Sequence, residues 1–142
     1  MTAKEYLLQY RKINSYIDCK LDQIVQLRAL ATRLSPTAMF DRNGNVSDKV
    51  GRSVAKIVDL ERRIDREVDD LIAKRNEISH TISEIGDYDL RTVLEYRYMS
   101  GWNWRRIAAK MHYTEKHVTG YLHRKSLHEI EKLIPHDTFS VV

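Results

Sequence analysis

An apolar repeat restricts this chain more than any other feature of its sequence. Tyr6, Tyr10, Ile13, Ile17, Ile24, Leu27, Ala31 and Leu34 follow one another in steps of four and three, with Lys20 as the charge within the series. A spacing near 3.5 residues kept over so many turns draws one stripe along a helix and predicts packing against another long helix. That partner is found further on. Val50, Val54, Ile57, Ile64, Val68, Leu71, Ile78, Ile82 and Ile85 step in the same way, with Glu61 and Arg75 as charged exceptions. Thr2 and Glu5 have the spacing of a capping box at the start of the first helix. Ser35-Pro36 stops that helix, because proline disfavours helical backbone in the residue before it.

At 1.5 Å per residue, residues 2–34 would span about 50 Å and residues 47–85 about 58 Å. Similar lengths joined by the short segment 35–46 (SPTAMFDRNGNV) predict a long antiparallel helical hairpin, a coiled coil, over residues 1–85. Asn43-Gly44 supplies the turn signal, Met39 and Phe40 are placed to pin the loop, and Ser47 or Asp48 can cap the second helix. Only five Gly and two Pro punctuate the chain, which also favours long helices over frequent turns. The outer faces mix both signs of charge, as in Asp59-Leu60-Glu61-Arg62-Arg63, and read as solvated coiled-coil surface. A hairpin by itself leaves much apolar surface open. The pattern therefore predicts a homo-oligomer through the hairpin, with a dimer favoured, although periodicity does not fix the number of partners.

A different pattern begins after Gly86. Asp87 or Asp89 can open a helix reaching about Met99, with Leu90, Val93, Leu94 and Tyr98 on its inner face. Gly101 ends it, and Trp102 or Asn103 opens the next helix, whose apolar stripe is Trp104, Ile107, Ala108 and Met111. His112-Tyr113-Thr114 interrupts the stripe. Thr114 can then cap a last helix that turns Val118, Tyr121 and Leu122 inward and continues through Leu127, Ile130, Leu133 and Ile134 to Pro135. Its other face holds Lys116, Thr119, Gly120, His123 and Arg124. Two short helices around a tight turn, completed by the helix before them, predict a trihelical helix-turn-helix domain over residues 86–135, followed by a loose tail at 136–142. Charge gives this domain its functional reading. From Arg97 to Ser126 the cations are Arg97, Arg105, Arg106, Lys110, Lys116, Arg124 and Lys125, against Glu115 alone. A one-signed surface of this kind suits phosphates and predicts double-stranded DNA as the partner, with the last helix (115–134) in the major groove.

These residues also carry a resemblance. Val93-Leu94-Glu95-Tyr96-Arg97-Tyr98, Gly101, Trp104, Ile107-Ala108, Thr114, Val118 and Leu122-His123-Arg124 resemble region four of bacterial sigma factors, which recognises an upstream promoter element. Together with the preceding SDKVGRSVAKIVDLERRID stretch, nearly the whole chain resembles a phage-encoded family of ArpU-type transcriptional regulators acting on late phage genes. The resemblance implies that Lys116, Thr119, Gly120, His123 and Arg124 face the groove and that Trp104, Arg105 and Thr114 lie near the phosphate backbone. It implies a bacterial host cytoplasm, and contact with RNA polymerase as a further possibility. His112 departs from the family pattern at a turn position commonly held by glycine, and Gly120 departs from it in the middle of a helix. In the resulting mechanism Arg105, Arg106, Lys110 and Lys125 fix orientation on the backbone. Lys116, Thr119 and His123 read bases, and Arg124 can do either.

Other classes find little support. His112, His117, His123 and His128 lack the i, i+4 register of a helical zinc pair and have no companion cysteine, so no metal or cofactor is expected. No glycine-rich phosphate loop and no nucleophile arrangement points to an enzyme. Capping and solvation account for Asp69-Asp70 and for Asp87 and Asp89. Cys19 stands alone, which suits a reducing compartment. No stretch reads as a signal peptide or a membrane span, so Asn45-Val46-Ser47 is discounted as a glycosylation sequon. The remaining alternatives are a phage small terminase subunit that binds packaging-site DNA, a module that touches RNA polymerase instead of DNA, and a purely structural coiled coil.

Overall fold

The computed structural model describes residues 1–34 and 48–134, the side chain of Asp48 excepted. Every regular element among them is helical. Helix α1 is Ala3–Arg33 and α2 is Asp48–Ser83. Helix α3 starts as Tyr88–Leu94 and continues through a wider turn at Glu95–Met99. Helix α4 is Trp104–Met111. Helix α5 starts as Glu115–His117, passes through a wider turn at Val118–Leu122 and ends as His123–Leu133. The expectations placed on the 35–46 loop, on Ser47, on Pro135 and on the tail lie outside the described residues. No helix among those described is long and apolar enough to cross a membrane.

The chain divides into two compact units, and the division is not the expected one at residue 85. Residues 15–72 form one unit, while 1–14 and 73–142 form the other. In the first, Ile17, Ile24, Ile57, Ile64 and Val68 are buried, all of them positions of the four-three repeat. Later residues of α1 meet earlier residues of α2: Lys20 Nζ lies 2.8 Å from Glu67 Oε2, and Arg28 Nη2 lies 2.8 Å from Glu61 Oε1. Lys20 and Glu61 are the charges that interrupt the two stripes. Each is thus matched across the seam, which removes the cost of leaving a half-buried charge unpaired.

The second unit has a larger core than three short helices could build. Leu90, Val93, Leu94, Tyr98, Ile107, Ala108, Val118, Leu122, Ile130 and Ile134 join one buried cluster with Ala3, Tyr6, Leu7, Ile78, Ile82 and Ile85. The expected trihelical core is therefore completed by the start of α1 and the end of α2. Tyr6 Oη and Thr81 Oγ1 form a buried hydrogen bond of 3.0 Å inside it, and Arg75 Nη1 donates to Asn14 Oδ1 at 2.9 Å near its edge. Arg75, the last charge in the repeats, is satisfied in this way. The capping box at the start of α1 is formed: the Thr2 N–H donates to Glu5 Oε2 at 2.8 Å, and the Glu5 N–H donates to Thr2 Oγ1 at 3.2 Å.

Candidate functional site

Each short helix of this unit starts on a side-chain cap. Asp87 Oδ1 accepts from the backbone N–H groups of Asp89 and Leu90, Asn103 Oδ1 from that of Arg106 at 2.8 Å, and Thr114 Oγ1 from that of His117 at 3.1 Å. These bonds satisfy donors that the first turn of a helix leaves open. The turn between α4 and α5 is His112–Thr114. His112 adopts φ 62° and ψ 36°, a left-handed conformation that histidine tolerates better than most residues. The Tyr113 N–H returns to Ala108 O at 3.0 Å and the His112 N–H to Ala109 O at 3.4 Å. This is the Schellman pattern that ends a helix in one residue. Tyr113 Oη donates to Asp89 Oδ2 at 2.6 Å, which ties the turn to the start of α3.

Gly101, at φ 75°, turns the chain between α3 and α4, with the Arg11 guanidinium lying against it. The Trp102 N–H reaches back to Tyr96 O at 2.9 Å, and the same turn lays the Trp102 ring on Tyr96, centroids 4.2 Å apart and planes within 8°. Arg106 covers the other end of this stack, its Cζ 3.8 Å from the Trp102 centroid. Arg97 sits in a similar way, 4.4 Å from the Trp104 centroid, and its Nη1 donates to Trp102 O. Lys125 Nζ stands 5.6 Å from the Tyr121 centroid. Three of the cations between Arg97 and Lys125 thus rest on aromatic rings.

None of them is neutralised by a described carboxylate. Among the described residues the ion pairs are Lys20–Glu67, Arg28–Glu61, His80–Glu84 and Lys132–Glu129. Arg97, Arg105, Arg106, Lys110, Lys116, Arg124 and Lys125 belong to none of these, and all but Arg97 are exposed. Thr114, Thr119 and Gly120 are exposed with them. A ring face holds a guanidinium in place without cancelling its charge, so the side chain remains available to an anion.

Two residues lie elsewhere than the spacing suggested. Tyr121, expected inward, is 51% exposed and stacks on His117 at 5.2 Å, with Tyr113 on the other side of that ring at 4.8 Å. His123, expected on the groove-facing side, turns in. Its Nε2 and Tyr98 Oη share a 2.7 Å hydrogen bond, and its ring meets the edge of Trp104 at 4.5 Å. Burial, then the charges of Lys4 and Arg97, push this imidazole down to about 4, so it is neutral at physiological pH. Burial likewise pushes the Tyr98 phenol up to about 12. Both residues lie in or next to the wider turn. The His123 N–H bonds to Val118 O, five residues back rather than four, which keeps Val118, Leu122, Ser126 and Ile130 in one buried line. Ser126 joins that line, its Oγ donating to His123 O at 2.7 Å, and Leu127 packs half-buried against the core. Trp104 is half-buried between Arg97 and His123, so it supports the surface more than it forms it.

Residue-by-residue reading missed the Tyr96–Trp102 stack and the contribution of α1. The interleaving of Trp102 and Trp104 with Arg105 and Arg106 hinted at the first. Nothing local could reveal that Lys4 and Arg11 reach this unit across ninety residues of chain. Among the described residues, no group of three or more His, Cys, Asp or Glu is placed to hold a metal ion. Comparison with protein-family models, with curated proteins and with solved structures found no match.

Proposed function

We propose that the chain is a sequence-specific, duplex-DNA-binding transcriptional regulator in which α4, the His112–Thr114 turn and α5 act as a helix-turn-helix. In this reading α5 lies in the major groove, and the resemblance to phage-encoded regulators makes late phage genes the target. One observation carries it: the seven cations from Arg97 to Lys125 have no described carboxylate partner, and three of them are held on aromatic rings. Unneutralised, oriented cations on a short-helix scaffold are what a phosphate backbone selects for. Arg105, Arg106, Lys110 and Lys125 hold phosphates, Lys116 and Thr119 address base edges, and Arg124 serves either role. His123 is removed from the base readers, because its ring is committed to Tyr98 and Trp104. The antiparallel α1–α2 hairpin supplies dimerisation, supported by an open apolar hollow lined by Gln23, Gln26, Leu27, Leu30, Leu60 and Ile64.

Binding to random duplex DNA across a salt series, followed by selection of the bound sequences, tests the proposal. About five phosphate contacts give a log–log slope near −4.5, or roughly a 500-fold loss between 50 and 200 mM salt. One enriched motif is expected, two-fold symmetric if the protein is a dimer. Salt-sensitive binding without a motif would favour a packaging role, and no binding at all would end the DNA reading.

A further inference from the structure

Neither a positive φ nor a neighbouring atom requires glycine at Gly120, in the wider turn of α5. Glycine inside a helix weakens the helix relative to alanine, so a structural reason should show as a positive φ or as a neighbour occupying the space of a side chain. Gly101 has both: φ is 75°, and a Cβ there would stand 2.7 Å from Arg11 Cζ. Gly120 has neither, since it lies in helical backbone and a Cβ there would meet nothing within 4 Å. The missing side chain leaves the surface of α5 open at this point. On that side α5 carries a shallow hollow lined by Gly120, Tyr121, Arg124, Lys125 and His128, away from the buried line of Val118, Leu122, Ser126 and Ile130. Lys125 leans to one wall, its Nζ 3.4 Å from Tyr121 Oη.

The floor of this hollow is bare helix backbone, and Tyr121 gives it an apolar wall. Major-groove base edges offer one apolar group of matching size, the C5-methyl of thymine. We propose that Gly120, Tyr121 and Arg124 form a thymine subsite, in which the methyl group rests over Gly120 while the Arg124 guanidinium reaches a neighbouring base or phosphate. The inference rests on the DNA-binding reading and gives it one specific base.

The test uses the full-length protein and the duplex enriched by selection, with each thymine replaced in turn by deoxyuridine, which removes only the methyl group. Wild type should lose roughly fourfold in affinity at one thymine, the worth of one buried methyl. Gly120→Ala should melt a few degrees higher than wild type yet bind the thymine duplex more weakly, and its deoxyuridine penalty at that position should vanish. Equal binding by Gly120→Ala, a penalty that persists in it, or a lowered melting temperature would each overturn the subsite. So would a wild type that binds its duplex without any thymine sensitivity or without an enriched motif. A wild type that binds no duplex ends the DNA reading itself, which keeps the two failures apart.

Discussion

Residues 15–72 and the stretch of α3–α5 from Arg97 to Lys125 are both rich in charge, and they treat it in opposite ways. In the first, Lys20 and Arg28 each meet a carboxylate across the seam, and Arg62, Arg63 and Arg66 line a hollow together with Asp59 and Asp65. In the second, Arg97, Arg106 and Lys125 rest on Trp104, Trp102 and Tyr121, with no carboxylate among their described partners. Mixed charge costs a folded chain little and attracts nothing in particular. The stretch from Arg97 to Lys125 holds seven cations against Glu115 alone, and such a surface repels itself unless an anionic partner offsets the charge. The regions also differ in how they hold their shape. Long helices draw on a continuous apolar seam, whereas α4 and α5 are short and depend on caps and turns to start and stop. The contrast supports the proposal that the second region meets DNA while the first gives structural support.

Neutralising cations in each region tests that contrast most strongly. Arg105→Ala with Arg106→Ala should weaken duplex binding about 100-fold, near tenfold for each charged contact, and flatten the salt slope by about two. Arg62→Ala with Arg63→Ala removes the same charge from a mixed surface and should leave both affinity and slope unchanged. Equal losses from the two pairs, measured by titration at several salt concentrations, would show that net charge alone drives binding. Within the second region, Lys116→Ala should relax sequence preference, whereas Arg106→Ala should weaken all sequences alike.

Acidification should separate the regions next. His123 is pushed down to about 4 from an ordinary 6.5, so the unfolded chain takes the proton first as pH falls. Stability is therefore complete above pH 6.5 and declines between 6.5 and 4, with little further change below that from this group. His123→Gln removes the titration. Melting curves of wild type and variant should differ in slope across that window, and parallel curves would mean that the ring is not held neutral by Tyr98 and Trp104.

The sequence disclosed these two regions unevenly. Caps are local chemistry, so Thr2 with Glu5 and Thr114 could be named from their neighbours, and Asp87 and Asn103 each as one of two candidates, whereas the turn position of His112 came from the family resemblance. The seam was equally legible, because Ile17, Ile24, Ile57, Ile64 and Val68 repeat over many turns. The half-buried His123, the exposed Tyr121 and the buried Ser126 were not, since they lie in or just after the wider turn at Val118–Leu122, and no composition rule marks such a turn. The share of the core taken by Ala3, Leu7 and Ile82 was hidden for another reason. Ile82 belongs by pattern to the second long stripe and by packing to the short helices, while Ala3 and Leu7 stand outside the first stripe altogether.

Cap removal sharpens the comparison on a smaller scale. Thr114→Ala leaves the His117 N–H without its acceptor and should cost about 1 kcal/mol, read from chemical unfolding. Ser53→Ala in α2 deletes a hydroxyl that only bonds back to Lys49 O within a long helix, and it should be neutral or slightly stabilising. A comparable cost at both sites would mean that the short helices depend on their caps no more than the long ones do.

The smallest effect concerns His112, and its sign is the informative part. A non-glycine residue in left-handed backbone carries strain, here at φ 62°, and glycine would relieve it at the expense of a freer unfolded chain. The balance of the two favours glycine by a few tenths to about 1 kcal/mol, so His112→Gly should raise stability slightly. The His112 side chain is exposed and its backbone N–H already serves the turn, so nothing in the fold opposes the exchange. If duplex affinity is unchanged by His112→Gly, the turn acts purely as a hinge between α4 and α5. If affinity falls while stability rises, the imidazole itself belongs to the anionic surface contact, and the strain is retained for binding. Unfolding and titration on the same variant distinguish these outcomes, and a loss of stability would show that the left-handed turn is not the strained point of the short-helix region.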